Sequence, residues 1–386
     1  MSERRVLFYV QHLLGIGHLR RAATLARAFS AAGLQTTLVT GGMPVPGIAV
    51  GSAELVQLAP TRAVDMFFRQ LVDADDRPID DAWRERRRAE LLACWQARKP
   101  HVLIFELFPF GRRQMRFELV PLLQAASAAA QRPVIVSSVR DILVAQDKPE
   151  RNQEMLALIA DYFDHVLVHG DPALVGFDRT FPLARMIGER LHYTGYVVDE
   201  SASRPAADGA GAGEVVVSAG GGAVGESLLS TAMAARQLTS LKDRPWRVLV
   251  GVSVPEAAFA ALQARAPAGV RVERARPDFP RLLPRCLLSI SQGGYNTMME
   301  VIQAGCRAIA VPYAGGSETE QTLRGKLLIE RAGIHVLPET ELAAATLAAT
   351  IERAMAAAPA RPGGIDANGA AVSAQLIRGF AEAAAW

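Results

Sequence analysis

Cysteine is scarce in this chain. Cys94, Cys286 and Cys306 are its only three among 386 residues, an odd set without close metal-ligand spacing, so neither a disulfide framework nor a zinc site is expected and the three read as packing residues. Net charge is small as well: 42 Lys and Arg against 39 Asp and Glu leave +3, too little to imply a nucleic-acid partner. No apolar segment reaches the roughly 18 uncharged residues of a membrane span, and the opening Met-Ser-Glu-Arg-Arg-Val has no signal-peptide core. The expectation is a soluble, cytoplasmic, globular protein whose length allows two domains, each with its own core.

What the chain does have is alternation. Short apolar strands are expected at residues 6–10, 38–40, 55–58, 102–106, 134–137 and 165–169, with helical periodicity between most of them, as at residues 18–32, where Leu19, Ala22, Leu25, Ala26 and Phe29 share a face. A second series follows at 214–218, 246–251, 270–273, 286–290, 308–311 and 335–337. Such βα alternation implies parallel sheets wrapped by right-handed crossovers, with function at the carboxyl ends of the strands. Residues 201–213, small and without apolar period, read as a linker. The expected domains are therefore 1–200 and 214–366. A last helix, 367–386, follows a Pro-Gly-Gly break and is expected to cross back onto the first domain.

The most informative stretch is residues 289–305, Ser-Ile-Ser-Gln-Gly-Gly-Tyr-Asn-Thr-Met-Met-Glu-Val-Ile-Gln-Ala-Gly. A buried strand runs into Gly293 and Gly294, which allow a sharp turn into a helix starting near Tyr295. The free N–H groups and positive dipole end of that helix suit a phosphate or diphosphate without any lysine. Asn296, Thr297 and Glu300 fall on one face beside that position, and a carboxylate there suits a ribose diol. The segment Gly220-Gly-Gly-Ala-Val-Gly225 satisfies a dinucleotide pattern, but the following strand lacks the acid for an adenosine ribose, so a dinucleotide cofactor is not expected. Asp73-Ala-Asp75 sits in a polar connection and reads as solvated charge rather than a metal site. The basic runs at 84–88 and 112–116 could be solvated helix faces or could meet an anionic acceptor.

Gly15-Ile-Gly17-His18, the 291–305 segment, Val311-Pro-Tyr and Glu320-Gln321 together resemble the GT-B glycosyltransferases, and within them the peptidoglycan N-acetylglucosaminyltransferase branch, family 28. The resemblance covers about the first 40 residues and the C-terminal half. It implies two Rossmann-like domains with parallel sheets facing across a cleft. It also implies a nucleotide-sugar donor on the second, commonly UDP-linked, an acceptor on the first, closure of the hinge between them, and no cofactor or bound metal. Carried over, Glu300 would hold the ribose; Gly293, Gly294 and Thr297, with Ser291 and Asn296 beside them, would line the diphosphate; and Glu320 and Gln321 would meet the sugar, where the family has a Gln-Gln pair. Read from their glycines, Ser218, Gly220 and Gly221 would allow close backbone approach to the diphosphate or to the facing domain, and Gly15 and Gly17 to phosphate or sugar.

His18 is the expected general base. At a helix N-terminus the dipole disfavours imidazolium and keeps the ring neutral near pH 7, so it can take the acceptor hydroxyl proton in an inverting transfer. Glu106 and Asp141, each at a strand end, are the candidates for orienting its second nitrogen; His12 reads as structural. Arg112, Arg113 and Arg140 are the candidate acceptor contacts, for an anionic lipid or small molecule and with it peripheral membrane attachment. Three other readings stay open: a nucleotide-sugar hydrolase, which shares a Gly-x-Gly-His-x-x-Arg pattern met here by Arg21, more distantly a non-hydrolysing sugar epimerase, and a nucleotide-sugar-binding protein without turnover.

Overall fold

The computed structural model of the protein describes residues 4–65, 68–143, 149–198, 205–219, 225–252, 254–312, 333–359 and 366–384. The chain forms two compact α/β units, residues 1–197 with 368–386, and residues 198–367.

In the first unit the strands β1 (Arg5–Val10), β2 (Gln35–Thr40), β3 (Glu54–Gln57), β6 (Val102–Glu106), β7 (Val134–Arg140), β8 (His165–His169) and β9 (Leu191–Tyr193) make, among the described residues, a seven-stranded sheet ordered β3-β2-β1-β6-β7-β8-β9. All of its pairings are parallel. A short antiparallel pair, β4 (Arg62–Ala63) and β5 (Leu71–Val72), lies apart from it. Parallel strands covered on both faces read as continuous apolar runs, and β1 shows why. Val6, Phe8 and Val10 point into one core with the α1 (Gly17–Ala31) residues Leu19, Ala22 and Phe29. Leu7 and Tyr9 point into the opposite core, with Leu91 of α2 (Asp81–Arg98), Leu119 of α3 (Arg116–Ser127) and Ile159 of α4 (Pro149–Tyr162).

The final helix of the chain, α9 (Gly369–Ala383), joins the first of these cores through Ala374, Ile377 and Ala381. It can do so because Gly369 lies against the backbone of residues 195–196: a Cβ there would come within 2.6 Å of the Tyr196 carbonyl carbon. Gly369→Ala should therefore force the helix outward and cost about 1–3 kcal/mol of stability, the usual penalty of overpacking. Urea denaturation would measure it, and an unchanged midpoint would contradict this account of how the helix docks.

In the second unit β10 (Val215–Ser218), β11 (Trp246–Val250), β12 (Val270–Arg274), β13 (Leu288–Ser291), β14 (Ala308–Ala310) and β15 (His335–Val336) form, among the described residues, a six-stranded parallel sheet ordered β12-β11-β10-β13-β14-β15. The helices α5 (Glu226–Ala235), α6 (Glu256–Ala264) and α8 (Ala344–Ala356) bury Leu228, Leu229, Leu262, Leu347 and Ile351 in its core. Residues 205–213, expected as a free linker, are held against this unit. Ala206 N–H donates to Arg281 O and Gly213 N–H to Arg285 O, each at 3.0 Å. Gly211, at φ 86°, sits where a Cβ would be 2.7 Å from Leu282 Cα. Small residues that look like spacer in sequence are here the condition for close backbone packing.

Candidate active site

In both sheets the candidate residues gather at the point where strand order reverses. The chain leaves β1 outward through β2 and β3 and returns to β6 on the other side; it leaves β10 through β11 and β12 and returns to β13. Outside the carboxyl ends of such neighbouring strands an open α/β sheet leaves a crevice for ligand. In the first unit β1 is followed by the loop to α1, whose first turn carries His18, and β6 ends in Glu106.

His18 Nδ1 lies 3.0 Å from Glu106 Oε1 and 3.3 Å from the Arg21 guanidinium; an ionised carboxylate can only accept, so the shorter contact takes the proton on Nδ1. The same carboxylate oxygen is ion-paired with Arg21, one helical turn along α1, and the second oxygen accepts from the Ser138 hydroxyl at 2.7 Å. The side chains of Arg21 and Glu106 are 3% and 0% exposed whereas that of His18 is 18% exposed, so the ring presents its Nε2 edge away from this buried cluster. Burial pushes the His18 pKa down to about 3, with Arg112 and Arg21 adding to the effect and Glu106 opposing it. The neutrality expected from a helix terminus is therefore present, with burial as its chief cause. For Glu106 burial alone would raise the pKa, but the Arg21 charge and the His18 hydrogen bond outweigh it and hold the carboxyl well below its usual range.

These residues give the first unit a pH dependence of definite sign. His18 and the fully buried His169 both fall to about 3 in the fold, against about 6.5 in an unfolded chain. Below about pH 6.5 the unfolded chain therefore binds more protons, and stability drops as pH falls through the window toward 3. Glu106 works in the same direction, since its depressed pKa contributes stability above the unfolded carboxylate value that is lost in acid. Denaturation midpoints should decline steadily from pH 7 to pH 4; a flat profile would contradict the burial of these rings.

The other predicted residues fall into different environments. Asp141 is not the partner of His18: its Oδ1 accepts from Ile142 N–H at 2.8 Å and its Oδ2 from Tyr196 OH at 2.6 Å, so the carboxylate braces the loop after β7. Arg112, in the left-handed region at φ 59°, donates from Nε to Gln11 O at 2.6 Å. Burial lowers its pKa to about 10, helped by the charges of Arg140 and Arg21 and opposed by Glu106. Arg140 closes β7. Arg113 is exposed and pairs loosely with Glu154 at 3.6 Å. His12 donates from Nε2 to Met43 O at 3.0 Å, a structural bond. Asp73 accepts from the N–H groups of Asp75 and Arg77 at 2.9 and 3.0 Å and so closes a turn. Within the other basic run Arg87 is wholly buried, while Arg84 and Arg88 pair with Asp81 and Glu85 on the helix surface.

In the second unit Ser218 and Ser291 are register partners at the ends of β10 and β13, and both are buried. Beyond them start two helices, α5 after Gly225 and α7 (Tyr295–Ala304) after Gly294. Gly293 at φ 71° makes the second turn, and the Gly293 N–H lies 3.4 Å from Ser291 Oγ. A Cβ on Gly225, at φ 113°, would collide with Ala219, so Gly225 lies close against the residue that follows β10. The N-cap residue of each helix is a glycine, Gly225 and Gly294, and so brings no capping side chain of its own. Two neighbouring strands thus deliver two helix N-termini side by side, an arrangement suited to an anion with two phosphates. Asn296, Thr297 and Glu300 are half-buried on α7. Gly220, Gly221, Glu320 and Gln321 lie outside the described residues. Gly15 and Gly17 flank the start of α1.

Of the residues in and behind this cluster, Arg21 belongs to the Gly-x-Gly-His-x-x-Arg pattern, whereas Ser138, His169 and Thr194 carry no sequence motif. The signal that could have found them is strand position: Ser138 is the register partner of Glu106 on β7, and His169 that of Arg140 on β8.

Residues 276–374 match the glycosyltransferase family 28 C-terminal domain. A 74-residue stretch is 34% identical to the UDP-N-acetylglucosamine–N-acetylmuramyl-(pentapeptide) pyrophosphoryl-undecaprenol N-acetylglucosamine transferase of Rhodospirillum centenum, covering 19% of this chain and 20% of that relative. Among solved structures the chain is similar over its full length to CalG4, the calicheamicin glycosyltransferase, covering 100% of each chain at TM-score 0.64 and 17% identity. It is also similar to Acinetobacter baumannii MurG, at TM-score 0.56 and 16% identity over 97% of this chain and 99% of that one. The fold is GT-B, that of the glycosyltransferases.

Proposed function

We propose that this chain, a GT-B protein matching the family 28 C-terminal domain over residues 276–374, is an inverting glycosyltransferase that moves a sugar from a UDP-sugar to an acceptor hydroxyl. The observation that carries the reading is the His18–Glu106 pair. A neutral ring whose Nδ1–H is fixed on a buried carboxylate leaves the Nε2 lone pair to take the acceptor proton. As the acceptor oxygen bonds to the anomeric carbon, the bond from that carbon to the diphosphate breaks and UDP leaves. Glu106 stabilises the imidazolium that forms, as the carboxylate does in a catalytic triad.

The leaving diphosphate belongs to the second unit in this reading. The α7 N-terminus, with Gly293, Gly294, Asn296 and Thr297, supplies N–H donors and positive dipole where negative charge develops, with Ser218 and Ser291 beside it and Glu300 on the ribose. The sugar contacts Glu320 and Gln321 are assigned by family resemblance, and the close approach of Gly220 and Gly221 by their lack of a side chain. UDP-sugar is the co-substrate, and no step calls for a cofactor. Arg112, Arg113 and Arg140 are assigned to the acceptor, a charge balance that suits an anionic lipid or a small anionic molecule. Among the described residues no helix is long and apolar enough to cross a membrane, so contact with a lipid acceptor is read as peripheral.

Calorimetry with UDP tests the donor assignment. Glu300→Ala removes a charge-assisted hydrogen bond made in ground and transition states alike, so UDP affinity should weaken by about 1.5–3 kcal/mol. Unchanged affinity would remove Glu300 from the donor site. In turnover assays, steady UDP release from UDP-sugar without acceptor would shift the reading to hydrolysis.

A further inference from the structure

Behind Glu106 a chain of buried hydrogen-bonding groups runs across three strands. Ser138 Oγ lies 2.7 Å from Glu106 Oε2 and 2.9 Å from His169 Nε2, and His169 Nδ1 lies 2.9 Å from Thr194 Oγ1. Ser138, His169 and Thr194 are each no more than 1% exposed, so bulk water does not satisfy them. Ser138 has one proton and two candidate acceptors.

Two arrangements of the protons are conceivable. In the first, Thr194 donates to His169 Nδ1, His169 Nε2–H donates to Ser138, and Ser138 donates to Glu106. In the second, Thr194 donates to Gly195 O, 2.9 Å away, His169 Nδ1–H donates to Thr194, and Ser138 donates to His169 Nε2. The second leaves Ser138 lone pairs facing Glu106 Oε2 at 2.7 Å, an arrangement that requires a proton on the carboxyl. The ion pair with Arg21 and the bond from His18 keep that carboxyl ionised, so the first arrangement holds.

We propose that His169 is a positioning residue for the His18–Glu106 pair: as the Nε2–H tautomer it obliges Ser138 to donate to Glu106 Oε2, which fixes the carboxylate plane and leaves Oε1 to His18 and Arg21. Without that N–H the Ser138 oxygen loses the donor that holds it from behind, so its bond to Glu106 is no longer fixed in direction and the carboxylate plane loosens. The proposal rests on His18 being the general base, since only then does the set of the His18 ring govern turnover. His169 touches no reacting atom and acts through Ser138 and Glu106.

Two variants and one spectrum test it. His169→Phe removes both ring nitrogens while keeping a planar side chain; kcat should fall roughly 10-fold to 100-fold, the usual effect of removing a partner behind an active-site ligand, with KM within about 2-fold of the parent (a positioning loss spares binding). His169→Gln places an amide N–H near the lost Nε2–H and should restore most of kcat. In nitrogen-labelled parent protein the His169 resonances should report a neutral ring protonated on Nε2. A His169→Phe variant with parent kcat, equal losses in both variants, or a ring protonated on Nδ1 would each overturn the proposal. The His18→Ala variant separates the two claims. If it is slow while His169→Phe is unimpaired, only the positioning role falls. If His18→Ala transfers at the parent rate, the general-base reading falls, and the tautomer measurement still decides where the His169 proton lies.

Discussion

His18→Ala should slow sugar transfer by roughly 100-fold to 10,000-fold, the range over which a positioned general base contributes, while UDP affinity stays close to that of the parent. The ring is in the neutral form the step needs. A histidine at about pKa 3 is neutral across the physiological range, so almost every molecule carries the base in its working form. Its Nδ1–H is committed to Glu106 at 3.0 Å, so the tautomer with a free Nε2 lone pair is the one present. Alanine removes the proton acceptor and leaves Arg21 to neutralise Glu106, so the fold should survive. Single-turnover transfer with a productive acceptor, beside calorimetry with UDP, measures the two quantities separately. Transfer at the parent rate would remove His18 from the chemistry; lost UDP affinity would make it a donor contact instead.

The largest expected effect on stability lies elsewhere in the first unit. Arg87 and Glu118, both 0% exposed, form an ion pair with Arg87 Nε 3.0 Å from Glu118 Oε2. Around the pair, Arg87 donates to Gln11 Oε1 at 3.0 Å and to the carbonyls of Gly41 and Ala59, and Tyr9 OH donates to Glu118. Trp83 packs against the guanidinium, its ring centroid 5.6 Å from the Arg87 Cζ. Arg87→Ala would leave a carboxylate in the core without its cation and should cost about 3–5 kcal/mol. The double variant Arg87→Met with Glu118→Leu removes both charges and should recover most of that, since a buried pair offsets its desolvation rather than adding much beyond it. Urea denaturation of the variants checks both expectations. A loss below about 1 kcal/mol for Arg87→Ala would mean that water reaches the pair.

Arg87 also shows where sequence reading stops. In the run Arg84 to Arg88 the four arginines look alike, and a solvated face or an anion contact reads equally for each of them. Helical phase separates them: Trp83, Arg87 and Leu91 are spaced by four and are the residues of α2 that are buried. A charged residue in an apolar stripe is the signal, but its partner Glu118 lies on another helix, and no local pattern joins the two. The strands were more legible, because parallel strands buried on both faces produce uninterrupted apolar runs that turn signals bound. β9, with three residues, and the two-residue pair β4 and β5 were too short to show a period.

The candidate site divides in the same way. Gly293, Gly294 and the helix behind them are written in consecutive residues, and His18 sits in a short motif of its own. Glu106 could be named as an orienting carboxylate because it ends a strand, but nothing in sequence separated it from Asp141, which also lies at a strand end. The separation comes from register, which sets Glu106 beside Ser138, and from Tyr196, which takes Asp141 from 55 residues away. Arg21, Ser138 and His169 gather at and behind Glu106, with Thr194 beyond His169, only once α1, β6, β7, β8 and the end of β9 are assembled. Residues 205–213 show the converse, a low-complexity segment whose small residues serve packing against Leu282 rather than freedom of movement.

The central claim is that the second unit holds a nucleotide-sugar donor at the turn from β13 to α7, and a thermal-shift screen of nucleoside diphosphates and nucleotide-sugars tests it most directly. UDP or a UDP-sugar at about a hundred times its dissociation constant should stabilise the protein by roughly 2.7 kcal/mol, and the shift should shrink in the Glu300→Ala variant. A screen in which no nucleoside diphosphate or nucleotide-sugar raises the transition, at concentrations where the parent remains folded and soluble, would contradict the account.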